Sequence, residues 1–263
     1  MLLRPESGLN GVVWKDLLRL SSFDVAHELS LSLPWLACSW VAAAHECYLL
    51  ALGASFMFFL TGLRQVHNAY HYALGIPRNA TECVMFVLSV LMLGSMHAVQ
   101  LTHLWHHRHC LTADDVEATS ARMPGWRAVL IGPLFPLRLH RKALQIANAR
   151  HCRWIWAELA ANLAFVVAVF FVLEIRWLEY HVVAMLLGQC LTGFFAVWTV
   201  HHDCDPQGRF ARTIRHRAKA LITYNMFYHV EHHLFPAVPT CRLPVLAQRL
   251  DAVAPELAAK KVF

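Results

Sequence analysis

Apolar residues run along this chain in long blocks, at 31–44, 48–63, 83–99, 155–173 and 181–200, rather than in amphipathic stripes. Blocks of that kind are read as membrane-crossing helices, a full crossing taking about 20 residues. The first two are short and are separated only by "HEC", His45 to Cys47, which predicts a tight hairpin. The first gains length from Leu29 and Ser30, and the second runs on as a helix through "TGLRQVHNAYH" beyond the membrane face. Block 83–99 ends in "QLTHLWHHRHC" and is expected to be a re-entrant hairpin or an interfacial helix. Block 155–173 is interrupted by Glu158 and Asn162, block 181–200 by Gln189 and Thr192, and "EIRWLEY" is the turn between them.

Polar stretches flank these blocks. Near the start, Trp14, Leu17, Leu18 and Leu20 interleave with Lys15, Asp16 and Arg19, the pattern of an interfacial amphipathic segment. Segment 111–153 is polar and basic, with "AVLIGPLFPLRL" inside it as a short surface-lying stretch, and the last 60 residues are polar and basic again. The expected fold is an all-α integral membrane protein with four transmembrane helices and a cytoplasmic helical cap carrying the histidine clusters. It is expected to be a single domain over 1–263: an interfacial N-terminal segment 1–30, a membrane core 31–200 with a central cytoplasmic segment, and a cytoplasmic C-terminal segment 201–263.

Composition and charge sharpen this picture. Hydrophobic residues make up 57% of the chain and charged residues 15%, against about 25% charged in soluble domains. The net charge of +6 sits at the ends of apolar blocks, as topology signals and contacts for anionic headgroups do, and this placement argues against nucleic acid as a partner. The two short turns hold Glu46, and Glu174, Arg176 and Glu179; the other side holds the N-terminal arm and the basic runs 138–153 and 209–219. The positive-inside rule then puts both termini, the central segment and every histidine cluster in the cytoplasm. Eight cysteines without a C-x-x-C pair are expected to be free thiols. "MLLRPESGLNGVVWKDLL" is too charged for a cleavable signal peptide, so internal segments are expected to drive insertion.

The 18 histidines carry the candidate chemistry. "HNAYH" sets His67 and His71 at i and i+4; "HLWHH" sets His103, His106 and His107 at i, i+3 and i+4; "HVEHH" repeats that spacing with His229, His232 and His233. On a helix each set shares one face. An H-x-x-H-H pattern is expected about 0.1 times by chance in such a chain and occurs twice. Imidazole is the commonest metal ligand, and eight of them suit two ions rather than one. H-E-x-x-H and E-x-x-H are both absent, which argues against a zinc protease and a carboxylate di-iron bundle. His27, His45, His140, His151 and His216 are isolated, and His97 and His109 fall off the cluster spacing.

The order H-x3-H, H-x2-HH, H-x2-HH between apolar segments resembles the membrane fatty acid desaturase superfamily, with its histidine-box, non-haem di-iron desaturases and hydroxylases. "HVEHHLFPAVP" followed by "LPVLAQRLDAVAPEL" is similar to the ending of bacterial and front-end lipid desaturases, and "NMFYH" to the N-x-x-Y-H of sphingolipid desaturases. The resemblance spans 56–257. It implies two iron ions held by His67, His71, His103, His106, His107, His229, His232 and His233. It implies a further histidine after the last crossing, where "VWTVHHDCD" offers His201 and His202, His201 being the first off the helix. Asn225 either holds a metal-bound water or caps the last box helix, and Asp203, Asp205, Glu231, Asp114 and Asp115 are candidate partners for ligand rings. O2 is the implied co-substrate and a fatty acyl chain the implied substrate, giving a double bond. A hydroxylase or ketolase of a lipid or carotenoid is the alternative within the superfamily, and a metal transporter or sensor the alternative outside it.

No fused electron carrier is legible, so a separate ferredoxin, rubredoxin or cytochrome b5 with its reductase is expected. "LFP" is expected to end the last box helix. Phe56, Phe58, Phe59, Phe194, Phe195 and Trp198 are candidates to line a substrate slot.

Overall fold

The computed structural model describes residues 9, 11–206 and 210–262. Residues 1–8 and 10 of the expected interfacial segment, and Arg209 of the expected basic run, lie outside the described residues. The described chain is helical, with no strand among those residues beyond one isolated bridge between Thr213 and Lys261.

The N-terminal stretch forms a 3-10 turn, Lys15–Leu18, and then helix α1, Ser22–Ser30. A capping box starts α1: Asp24 N–H donates to Ser21 Oγ (3.1 Å) and Ser21 N–H to Asp24 Oδ2 (2.9 Å). Leu9 and Leu17 pack into an apolar core with Ile214, Leu243, Leu246 and Leu250. Asp16 pairs with Arg249, Asp24 with Arg242, and the buried Glu28 with Arg64. The stretch before the first crossing thus clasps the C-terminal segment.

α2, Leu33–Ala44, and α3, Tyr48–Tyr70, form the expected hairpin, turning at Glu46 in the left-handed region (φ 60°). α3 rises about 34 Å and passes beyond block 48–63 to carry His67 out of the apolar stretch. α4, Arg78–Met92, and α5, Met96–His109, meet at 109°. Left-handed Leu93 ends α4, and Ser95 starts α5 by accepting Ala98 N–H (3.1 Å). Block 83–99 is therefore a sharp bend that aims α5 and its histidines back across the bundle. α6, Gly125–Leu130, and α7, Leu134–Ile146, follow, leaving Trp126, Leu130, Leu134 and Leu137 exposed. This is the surface-lying pattern expected for that stretch.

α8, Ala149–Leu173, and α9, Arg176–His201, are the long apolar helices of the second pair. Among the described residues, α3, α8 and α9 are long and apolar enough to cross a membrane, and the bent pair α4–α5 makes a fourth if taken as one span. α2, expected as a crossing, has 12 residues, about 18 Å against a hydrocarbon core of about 30 Å. α3 packs on α2, α4, α5 and α9 and is mostly buried, whereas α8 is mostly exposed. Glu46 and Arg176 lie 3.9 Å apart, so the two short turns share one end of the bundle.

α9 widens into a π-helical stretch, Gly193–Trp198. The wider turn re-phases the residues after it and is frequent at functional sites. Gly193 is required there: a Cβ would come within 2.8 Å of Ser120 Oγ in the turn Glu117–Arg122 packed against it. Three short helices complete the chain, α10 (Arg217–Ile222), α11 (His229–Leu234) and α12 (Leu243–Val253). α11 stops before Phe235 and Pro236, as "LFP" predicts.

Candidate metal centre

Four segments deliver imidazoles to one buried place. The end of α3 brings His67 and His71, α5 brings His103, His106 and His107, the last residue of α9 is His201, and α11 brings His229, His232 and His233. The rings gather around two foci. His67, His71, His103 and His232 offer ligand atoms within 4.8 Å of one another. His107 joins them, its Nε2 3.1 Å from His103 Nε2 and 2.9 Å from His232 Nε2. His106, His201 and His233 form the second focus, again within 4.8 Å and together with Cys110. His229 Nε2 joins it at 2.9 Å from His201 and 3.1 Å from His233.

The outer ring nitrogens fix which atoms face inward. His106 Nδ1 is 2.7 Å from Asp115 Oδ2, His103 Nδ1 3.2 Å from Glu117 Oε2, and His201 Nδ1 2.8 Å from the Phe210 carbonyl oxygen. A carboxylate or carbonyl only accepts, so these Nδ1 atoms donate and each Nε2 keeps its lone pair. When both rings are neutral, the Nε2 lone pairs of His106 and His201 face each other at 3.1 Å with no proton to share. A cation between them resolves that opposition, so the donor set fits metal ions. Burial, reinforced by the neighbouring imidazoles, holds His71, His229, His232 and His233 well below the ordinary histidine range, so these rings are neutral and able to ligate. Burial would raise the Asp115 carboxyl, but the hydrogen bond from His106, with the N–H groups of Leu111 and Ala118, holds it below its usual value.

All eight box histidines and His201 meet here. His202 does not: its ring stacks on Trp198 (3.9 Å, 3°) and its Nδ1 donates to the Trp198 carbonyl (2.8 Å). Asn225 neither caps α11, whose N-cap is Tyr228, nor bonds to a ligand ring. Its left-handed backbone (φ 62°) closes α10, with its N–H donated to Ala220 O (2.7 Å). Asp203 lies on the surface against Arg212, and Asp205 is exposed. Glu231 is fully buried, but it pairs with Arg215 (2.6 Å) and accepts from Thr213 Oγ1 (2.6 Å), anchoring α11 rather than orienting a ring. Burial raises its carboxyl, and Arg215 and Thr213 offset only part of that. Of the two aspartates after the second cluster, Asp115 touches a ligand ring, while Asp114 is exposed and lends its backbone carbonyl to Trp105.

Glu117 and the Phe210 carbonyl escaped the sequence reading. Glu117 sits two residues past Asp115, within "DDVE", a weak signal that only the fold of the Glu117–Arg122 turn makes meaningful. Phe210 acts through its backbone and leaves no mark in the sequence.

A narrow cavity of about 80 Å³ opens beside both foci. Its wall holds His67, His103, His106, His201 and His229 on one side and Leu63, Val66, Phe135, Leu139, Phe195 and Met226 among its apolar residues. Of the expected slot aromatics, Phe195 lines it. Phe56, Phe194 and Trp198 line a neighbouring apolar cavity, and Phe58 and Phe59 are packed into the helix core around Met85, Met92 and Met185.

The sequence profile of the fatty acid desaturase family matches residues 39–261. The chain is 29% identical to a beta-carotene ketolase of Paracoccus sp. over 215 residues, covering 77% of this chain and 81% of that one. It is 29% identical to a sphingolipid delta(4)-desaturase/C4-monooxygenase of Rattus norvegicus over 213 residues, 73% of this chain and 60% of that protein's length. A sphingolipid delta(4)-desaturase of Rattus norvegicus is 28% identical over 268 residues, 93% of this chain and 75% of the relative.

Proposed function

This chain belongs to the fatty acid desaturase family and is an oxidoreductase; from that premise we propose that it is a membrane-bound, O2-dependent di-iron enzyme, a fatty acyl desaturase that introduces a double bond by C–H abstraction. One observation carries the reading: imidazoles from four segments converge, lone pairs inward, on the wall of an apolar cavity. His67, His71, His103, His107 and His232 would hold one iron, and His106, His201, His229 and His233 the other. Two non-haem irons would supply the one-electron and O2 chemistry that side chains lack.

The protein's own residues do the rest. Asp115, Glu117 and the Phe210 carbonyl hold three rings in the ligating tautomer. Leu63, Val66, Phe135 and Phe195 exclude water and present one stretch of an apolar chain to the centre. Thr192 Oγ1, buried on that wall without a hydrogen-bond partner among the described residues, is a donor available to a polar group on the substrate.

A second reading, ketolase or hydroxylase of a lipid or carotenoid, is favoured by the extent of the match to the beta-carotene ketolase, 81% of its length. Both readings share the abstraction step and divide afterwards. A metal transporter or sensor is disfavoured, because transport calls for polar ligands along the crossings. The shared end of the two short turns supports the topology in which both termini and the histidine centre are cytoplasmic and α2 serves as a short fourth crossing. A separate ferredoxin, rubredoxin or cytochrome b5 with its reductase would bring electrons there, the basic runs suiting an acidic partner.

Expression with a reductase system and mass spectrometry of lipids and carotenoids tests the chemistry. Loss of two hydrogens marks a desaturase, gain of an oxygen a hydroxylase, and exchange of two hydrogens for an oxygen a ketolase. No product with any donor would sink the enzyme reading. An impermeant thiol reagent tests the topology: on intact cells it should label a variant retaining only Cys47 and miss one retaining only Cys204.

A further inference from the structure

The second focus contains one donor that is not an imidazole. Cys110 stands four residues after His106 and three after His107, so the end of α5 turns its thiol toward the same face as those rings. Its Sγ and the ring nitrogens of His106, His201 and His233 all lie within 4.8 Å of one another. Ligands at about 2.0–2.3 Å from one ion sit no more than about 4.5 Å apart, so a slight closure brings all of them onto a single metal. The Cys110 thiol is half-buried and has no hydrogen-bond partner among the described residues.

His233 points to a ligand independently. It is 2% exposed, its Nδ1 has no hydrogen-bond partner among the described residues, and its Nε2 faces the second focus. His106 and His201 are 2% and 1% exposed and aim lone pairs into the same space. The foci are also unequal in nitrogen, since the first gathers five imidazoles and the second four.

We propose that Cys110 is a thiolate ligand of the second metal ion beside the imidazoles of His106, His201 and His233, while the first ion is held by imidazoles alone. The proposal rests on the two-metal reading above. The thiol proton leaves to solvent as the metal binds, as metal binding to cysteine requires. A soft sulfur donor on one ion alone makes the two ions chemically distinct.

The test uses the full chain, purified in detergent and reconstituted with cobalt(II), with metal counted and near-ultraviolet absorption recorded. Two ions per chain and a thiolate-to-cobalt charge-transfer band are expected. The band should vanish in Cys110→Ser with two ions still bound, and persist in Cys204→Ser. Two ions without the band, or a band that survives Cys110→Ser, overturns the thiolate ligand and leaves the two-metal reading standing. Fewer than two ions in the unsubstituted protein overturns that reading, and the proposal with it. Should Cys110→Ser not fold, X-ray absorption at the cobalt edge of the unsubstituted protein decides: a sulfur neighbour at about 2.3 Å supports the proposal, and nitrogen and oxygen neighbours alone overturn it.

Discussion

Helix α5 carries two histidine–carboxylate pairs that look alike and do different things. His106 and His97 are both almost fully buried, and each has its Nδ1 2.7 Å from a buried carboxylate, Asp115 and Glu158 respectively. They differ at the other nitrogen. His106 Nε2 faces His201 and His233 at 3.1 and 3.3 Å. His97 Nε2 meets no other imidazole; its nearest ionic neighbour is Glu82 at 3.8 Å, and its ring lies flat on Trp154 (4.7 Å, 2°). Glu158 also accepts from Ser95 Oγ (2.5 Å) and His97 N–H (3.1 Å), tying the start of α5 to α8. A buried, carboxylate-oriented imidazole is thus not in itself a sign of a metal site. Convergence of the free nitrogens is.

The largest expected effect breaks the comparison at the ring. His106→Ala should cut turnover roughly a thousandfold or more, about 4 kcal/mol of barrier, and lower the bound metal. His97→Ala should leave metal content intact and lower only thermal stability. Equal metal loss in both would mean the pairs are not distinct.

At the carboxylates, Asp115→Asn should weaken metal affinity roughly 10–100-fold in equilibrium titrations. Glu158→Ala should lower unfolding free energy by on the order of 3 kcal/mol by stranding buried donors, with metal stoichiometry unchanged. Metal loss in the Glu158 variant would contradict a purely structural role.

Glu117→Gln should sit lower on the same scale, at about tenfold in affinity, because its contact to His103 is longer at 3.2 Å and an amide still accepts. The smallest effect is expected at His202, whose Nδ1 is also oriented but whose ring is stacked on Trp198. His202→Ala should change stability by no more than about 1 kcal/mol and keep the full metal complement. Metal analysis beside His201→Ala, which should lose an ion, checks it directly.

The long helices α3, α8 and α9, the hairpin at Glu46, the end of α11 at Phe235–Pro236 and the helical spacing of the eight box histidines were legible from block lengths and helical spacing, whereas α2, expected as a crossing, is only 12 residues long. Local signals sufficed because each depends on residues within one or two turns of one another. The partners of the rings were not. Asp203, Asp205 and Glu231 are near the boxes in sequence yet face the surface or Arg215, whereas Glu117 and the Phe210 carbonyl come from turns positioned by α9. The N-terminal stretch read as interfacial because its alternation is amphipathic, but the apolar side of that alternation, Leu17 above all, is covered by the C-terminal segment.

By itself the sequence determined that the chain is helical and apolar enough for a membrane, and that its histidines stand in register on helix faces, because the 3.6-residue period is a property of each helix alone. Only the tertiary structure decided that His201 rather than His202 turns inward, that the nine rings divide into two foci, and that Cys110 stands at the second. Those outcomes depend on where side chains from α3, α5, α9 and α11 point once the helices pack. A bend of 109° before α5 and a π-helical stretch in α9 set those directions, and neither is written in any local spacing.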